Sequence, residues 1–126
     1  MKKAVIVVGY HYAGKSKTIN KYLKLKLEIG TDEHKFTRNG MGGFILSQSF
    51  EESNKVVDEM IDKYAKKYDL LVLPARPADE KISCLNPVSS RLKANAFRVS
   101  EVSVVRNNPE NYYDGKADEI LRELDR

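Results

Sequence analysis

Two hydrophobic runs, at residues 4–8 and 70–73, are continuous and consist mainly of Val, Ile and Leu. Unbroken apolar runs of this length are typical of strands covered on both faces, as in a parallel sheet. We predict that the second strand starts at Asp69 and ends at Pro74. Residues 97–106 instead alternate between apolar and polar side chains, which predicts a strand partly open to solvent, at a sheet edge.

The segments between these strands predict helices and one hairpin. Asn39-Gly40, between residues 34–38 and 41–48, is the strongest two-residue signal for a tight turn between strands. A helix is predicted from Lys15 onward, because its apolar residues fall at helical spacing until Gly30. Further helices are predicted at residues 51–67, capped by Ser49 with Glu52 completing a capping box, at 89–96 and at 116–126.

Strands that alternate with helices indicate an α/β fold with right-handed crossovers. The length of 126 residues suits a single domain, residues 1–126, with one core. We find no internal repeat and no low-complexity tract that would indicate a second domain.

Composition and charge narrow the class of protein. Hydrophobic residues make up 41% of the chain and charged residues 32%, a globular composition with a net charge of +4. A solvated basic surface is the favoured interpretation, with a nucleic-acid or phosphate-rich partner as the alternative. Cys84 is the single cysteine, which fits a reducing compartment. The first apolar run is too short for a signal-peptide core or a membrane span, so we expect a cytoplasmic protein with no membrane partner.

The loop after the first strand reads Gly9-Tyr10-His11-Tyr12-Ala13-Gly14-Lys15-Ser16 and fits G-x-x-x-x-G-K-[ST] at every fixed position. Glycines let the backbone turn tightly, so that amide N–H groups point at phosphate oxygens, and the following helix adds its positive end. Lys15 is expected to reach the β- and γ-phosphates, and the Ser16 hydroxyl to ligate Mg²⁺. The residues expected to bind nucleotide are Gly9, Ala13, Gly14, Lys15, Ser16, Lys17 and Thr18.

On this motif, residues 4–27 resemble the opening unit of the P-loop NTPase superfamily. The resemblance implies a three-layer fold with a mainly parallel sheet, flanking helices and the nucleotide at the carboxyl ends of the strands. It does not choose among kinases, ATPases and GTPases. The Asn-Lys-x-Asp motif that reads guanine in GTPases is absent from the sequence, which favours ATP by elimination.

The sequence departs from the superfamily pattern at the second metal group. Such proteins usually carry an acid at the carboxyl end of another buried strand, which holds Mg²⁺ through water. Here that strand is followed by Pro74-Ala75-Arg76, and Asp69 stands at its opposite end. Asp32 or Glu33, and Asp79 or Glu80, are candidate replacements, with exposed loop charges as the alternative. The departure weakens the expectation of hydrolysis more than that of binding.

Arg76 is, with Lys15, a candidate catalytic residue, because it follows the carboxyl end of the second buried strand, which we expect to adjoin the glycine loop. A guanidinium suits bidentate phosphate contact, although an arginine that ties down its own loop is the alternative. At residues 47–49, Gln48 is a candidate to orient a water molecule or to sense the γ-phosphate, and a helix cap is the alternative.

Three further residues carry weaker hypotheses. Arg91 and Lys93 stand where small kinases place a lid, but a solvated helix face is favoured. His11 is a candidate catalytic base, although side chains at the variable positions of such loops generally point away from the phosphates.

These features predict an ATP-binding protein that is an ATPase or a small ATP-dependent kinase acting on an acceptor that the sequence does not identify. The alternative is a nucleotide-binding switch or assembly module with little or no hydrolysis. In that case ATP would order residues 47–49 and 76–91 for a protein partner. A nucleic-acid-associated ATPase is a third hypothesis, which rests on the basic charge alone.

Overall fold

The computed structural model describes residues 1–52 and 56–126. Over these residues five strands form one sheet: β1 (Lys2–Val8), β2 (Lys35–Arg38), β3 (Met41–Ile45), β4 (Leu70–Ala75) and β5 (Phe97–Ser103). Their order in the sheet is β2-β3-β4-β1-β5. Only β2 is antiparallel to its neighbour, and the other pairings are parallel. The α/β class and the mainly parallel sheet are therefore confirmed.

Helices cover both faces of the sheet. They are α1 (Lys17–Leu23, continued by Lys24–Lys26), α2 (Val57–Ala65), α3 (Leu85–Ala94) and α4 (Glu110–Asp125), with a 3₁₀ turn at Phe50–Glu52. In β1, Val5 and Val7 pack with apolar residues of α1 and α4, whereas Ala4 and Ile6 pack with those of α2 and α3. This alternation follows from the two-residue period of a strand.

The connections create a crevice between β1 and β4. These neighbouring parallel strands end at the same edge of the sheet, where Val8 is paired with Ala75. The chain leaves β1 for α1 on one face and leaves β4 for α3 on the other. Such a divergence opens a crevice at the carboxyl ends of the strands, where ligands bind in open α/β sheets.

Several predictions from the pattern are confirmed. Asn39 and Gly40 both have positive φ, 53° and 76°, as the tightest hairpin turn requires, and β2 pairs with β3 across them. β5 lies at a sheet edge. The first helix is present, but Lys17–Leu23 has the wider spacing of a π-helix, with the Lys24 N–H bonded to the Ile19 carbonyl oxygen.

The predicted helix at residues 51–67 and its cap are wrong at the start. Residues 53–55 lie outside the described part of the chain, and α2 begins only at Val57 after the extended Val56. The Ser49 hydroxyl has no hydrogen-bond partner, so it makes no cap. Glu51 lies in the 3₁₀ turn before the helix, and its carboxylate accepts hydrogen bonds from the backbone N–H groups of Arg76 and Cys84.

Pro74 does not end β4, contrary to the prediction. The Val72 carbonyl accepts the last hydrogen bond from the β3 side, from Leu46 N–H, and the Ala75 carbonyl accepts one from Gly9 on the β1 side. Pro74 is two residues beyond Val72, so its missing N–H would face the β3 side, beyond the end of β3. No ladder bond is lost, which is why proline is tolerated there.

The last two helices begin earlier than predicted. α3 starts at Leu85 and not at Ser89, because Pro87 falls in the first turn, where a helix does not need its N–H. α4 starts at Glu110 and not at Lys116, because Tyr113 is buried against the face of the sheet that α1 also covers. Tertiary packing thus extends α4 through a stretch of weak helix formers.

Candidate functional site

The glycine loop at residues 9–16 lies in the crevice between β1 and β4. Its first residue is fixed by a hydrogen bond of 3.1 Å from Gly9 N–H to the Ala75 carbonyl oxygen. A β-carbon on Gly9 would stand 2.8 Å from the Val104 carbonyl oxygen, so only glycine fits. Gly14 has φ of +106°, which favours glycine there too. The two glycines of the motif therefore satisfy separate steric requirements.

Lys15 is folded back over this loop. Its side chain is only 7% exposed, and its ammonium donates a hydrogen bond of 2.6 Å to the Gly9 carbonyl oxygen. Burying an ammonium is costly unless it makes hydrogen bonds or ion pairs, and a phosphate oxygen is a strong acceptor for such a cation. The arrangement brings a positive charge to the centre of the loop.

A depression of about 310 Å³, here called the loop depression, opens beside Lys15. Across from the glycine loop, residues Ser47 and Ser49 line it, together with Pro74 of β4. Ser49 is 2% exposed and its hydroxyl has no hydrogen-bond partner. A buried hydroxyl without a partner usually marks a place where a ligand or water belongs. The loop depression is therefore lined by Lys15 and by a serine whose buried hydroxyl is unsatisfied.

The start of α1 supplies the other predicted nucleotide-binding residues. Ser16 is exposed, lines the loop depression and makes no side-chain capping bond to the helix. The Thr18 hydroxyl donates to the Gly14 carbonyl oxygen at 2.8 Å, so it is used to shape the loop. The Lys17 ammonium turns outward to Glu110 at 3.4 Å. Ala13 is buried within the loop and lines the depression.

Arg76 is brought to the glycine loop, where the sequence placed it. One guanidinium nitrogen lies 3.2 Å from His11 Nδ1, and another forms an ion pair of 3.4 Å with Glu80. Next to it the Tyr10 hydroxyl donates a hydrogen bond of 2.5 Å to Asp79, which raises the pKa of Tyr10. Residues 76–80 are therefore joined to the glycine loop by two side-chain contacts.

The candidate replacements for the missing acid are used elsewhere. Asp79 and Glu80 bond Tyr10 and Arg76, as described. Asp32 lies near Lys24, in the last turn of α1: burial lowers the pKa of Lys24 and the charge of Asp32 opposes that shift. Glu33 packs its carboxylate against Gly30. None of these four carboxylates lines the loop depression.

The sequence pattern assigned Ser49 to a helix cap and indicated no role for Glu51 near the site. One oxygen of Glu51 accepts the N–H groups of Arg76 and Cys84, and its other oxygen is buried without a partner. Glu51 thus fixes the backbone just beyond β4. The hydrophobic pattern gives no signal for this role, because the contacts join residues more than 24 positions apart in the chain.

Three predicted candidates are not brought to the loop depression. Arg91 forms a bidentate pair with Asp62 of α2, at 2.8 and 2.5 Å, and therefore fastens α3 to α2. Lys93 is exposed on α3. Gln48 is exposed in the segment after β3 and belongs to a neighbouring depression. The solvated or structural interpretation fits Arg91 and Lys93 better than a lid.

Within residues 1–52 and 56–126, no group of three His, Cys, Asp or Glu side chains is placed to hold a metal ion. Over the same ranges no helix is both long and apolar enough to cross a bilayer. Comparison with known proteins finds no matching family model, curated protein or solved structure.

Proposed function

We propose that this protein binds ATP in the loop depression and has a P-loop NTPase-like fold. The observation that carries the proposal is the buried Lys15 ammonium at the centre of the glycine loop, 2.6 Å from the Gly9 carbonyl oxygen. A triphosphate would offer that ammonium charged oxygens, which are strong acceptors for a cationic donor. Ser49, whose buried hydroxyl has no hydrogen-bond partner, lines the same depression.

Different residues of the loop would contact different parts of the bound nucleotide. Backbone N–H groups of residues 14–16 would surround the β-phosphate, and Lys15 would reach the γ-phosphate. Mg²⁺ accepts a hydroxyl ligand and keeps several waters when few carboxylates are present. The exposed Ser16 hydroxyl is suited to be that ligand. The Mg²⁺ ion would then neutralise phosphate charge while the nucleotide supplies most of the other contacts that hold it.

ATP turnover is the favoured activity, as an ATPase or a small ATP-dependent kinase. Phosphoryl transfer needs positioning and charge stabilisation more than covalent chemistry. Arg76 stands at the rim of the glycine loop with His11, where a guanidinium can stabilise transferred charge. Because no candidate carboxylate lines the loop depression, we expect hydrolysis by water alone to be slow.

A nucleotide-dependent switch is the second candidate, and a specific contact favours it. The Tyr10–Asp79 and His11–Arg76 pairs join residues 76–80 to the loop that would close on the phosphates. A change in the glycine loop on binding would therefore move the segment before α3.

We also propose a cytoplasmic location for the protein, because the lone Cys84 fits a reducing compartment.

Isothermal titration with Mg-ATP tests the proposal. We expect Lys15→Ala to weaken binding at least about tenfold, from the loss of a charge-assisted bond. Lys21→Ala is the matched control, because Lys21 lies on the same helix with its ammonium 3.6 Å from Glu110. Unchanged affinity in Lys15→Ala would rule out the assignment of the loop. If the affinity does fall, phosphate release by the wild-type protein distinguishes an enzyme from a switch.

A further inference from the structure

A second depression, of about 230 Å³, adjoins the loop depression and is here called the ring-lined pocket. It opens between the end of β3 and α2. The Phe44 and Tyr64 rings stack at 4.5 Å, and the His34 ring stacks on Phe44 at 5.7 Å. Six of its lining residues carry rings or polar groups: His34, Phe44, Ser47, Gln48, Phe50 and Tyr64.

One short segment, residues 46–50, forms a wall of both depressions. Ser49 faces the loop depression, Gln48 and Phe50 face the ring-lined pocket, and Ser47 lines both. Because Ser47 lines both depressions, the two depressions are neighbours, and the reacting atom of a molecule in the ring-lined pocket would extend past Ser47 to meet a γ-phosphate beside Lys15. Direct transfer between two bound reactants requires the reacting atoms to come within about 3.5 Å of each other.

The lining of the ring-lined pocket indicates the chemistry of its ligand. Aromatic rings provide apolar contact, and Ser47, Gln48 and the Tyr64 hydroxyl provide hydrogen-bonding groups. Among the described residues that line it, none is Lys, Arg, Asp or Glu. A phosphorylated or otherwise strongly charged ligand would find no permanently charged partner among these residues. The pocket thus suits a small uncharged ring compound.

We propose that the ring-lined pocket binds the phosphoryl acceptor, and that this acceptor is an uncharged ring compound with a hydroxyl group, the class to which nucleosides belong. The inference rests on the proposed function, because ATP is the donor. The acceptor oxygen forms a bond to the γ-phosphorus while the bond from that phosphorus to the β–γ bridging oxygen breaks. ADP leaves, and the hydroxyl proton passes to water.

The test uses the whole chain, with adenosine, guanosine, cytidine, thymidine and their 5′-monophosphates as probes. Binding is followed by saturation-transfer NMR, and transfer by label from [γ-³²P]ATP. We expect at least one nucleoside to bind more tightly than its monophosphate and to become labelled. Tyr64→Ala and Gln48→Ala should each weaken its binding, Tyr64→Ala about tenfold. Tyr68→Leu is the control, because Tyr68 contacts Phe44 at 5.2 Å without lining the pocket.

Three results would overturn the inference while leaving ATP binding intact: no nucleoside binds, the monophosphates bind more tightly, or both variants bind as the wild type does. Gln48 is exposed, so its variant remains informative if Tyr64→Ala fails to fold. Failure to bind Mg-ATP would instead refute the proposed function, and with it the transfer step, whatever the nucleosides do.

Discussion

A β-carbon on Gly14 would lie 2.4 Å from Cε1 of Tyr113, so the glycine loop and α4 are packed against each other without room for one methyl group. Tyr113 is itself fixed, because it is buried and its hydroxyl donates to the Val105 carbonyl oxygen at 3.2 Å. The second glycine of the motif is thus required by α4 as well as by its own positive φ. The shape of the loop depends on a helix that begins 96 residues after Gly14.

Gly14→Ala is therefore expected to destabilise the fold and to weaken ATP binding. The positive φ alone costs about 1–3 kcal/mol in a residue with a side chain, and the clash with Tyr113 adds to it. Gly115→Ala is the matched control: it lies in α4 with open space around it, so alanine should stabilise the helix by roughly 0.5–1 kcal/mol. Urea unfolding of both variants measures the effects, and equal shifts of the same sign would contradict the packing argument.

Arg76→Ala should leave Mg-ATP affinity within about threefold and lower the rate of phosphate release or transfer at least about tenfold. The reason is that Arg76 stands at the rim of the loop depression, beside His11, and not within it. Arg98→Ala, at an exposed position of β5, is the control. Steady-state kinetics with a separate binding titration distinguishes the two effects. Unchanged turnover would mean that Arg76 only ties residues 76–80 to the glycine loop.

The Asp62–Arg91 pair predicts a pH dependence of stability. Hydrogen bonds from Arg91 and Asn95 lower the pKa of Asp62 from 3.8 to about 2. A carboxyl with a lowered pKa in the folded state stabilises the fold above its unfolded pKa. That contribution is lost as the pH falls from about 4 through 2. Asp62→Asn should therefore lower Tm by a few degrees at pH 7, and its Tm should converge with that of the wild type near pH 2.

Thermal unfolding followed by circular dichroism between pH 7 and pH 2 measures this difference. Glu59→Gln, at an exposed position of the same helix, is the control. A difference in Tm between Asp62→Asn and the wild type that stays constant down to pH 2 would show that packing, and not the ionised carboxylate, is what the substitution removes.

The sequence by itself determined the sheet strands, the hairpin and the glycine loop. Each is encoded locally: β1 by a continuous apolar run, the hairpin by Asn39-Gly40, and the loop by glycines and a lysine at fixed spacing. It also placed Arg76 beside the loop, because the carboxyl ends of parallel strands meet at one edge. Side-chain periodicity and steric freedom act over a few residues, so they can be recognised without the fold.

Only the tertiary structure decided which side chains share a site. Ser49 is a buried, unpartnered hydroxyl because residues 46–50 fold between two depressions, and Glu51 fastens the chain beyond β4 through contacts over 25 and 33 positions. The start of α4 and the end of β4 differ from the predictions for the same reason. Burial of Tyr113 extends α4 toward its amino end. Pro74 stays in β4 because the neighbouring strand β3 has already ended. Such outcomes depend on packing and hydrogen bonds between distant segments, which no local pattern specifies.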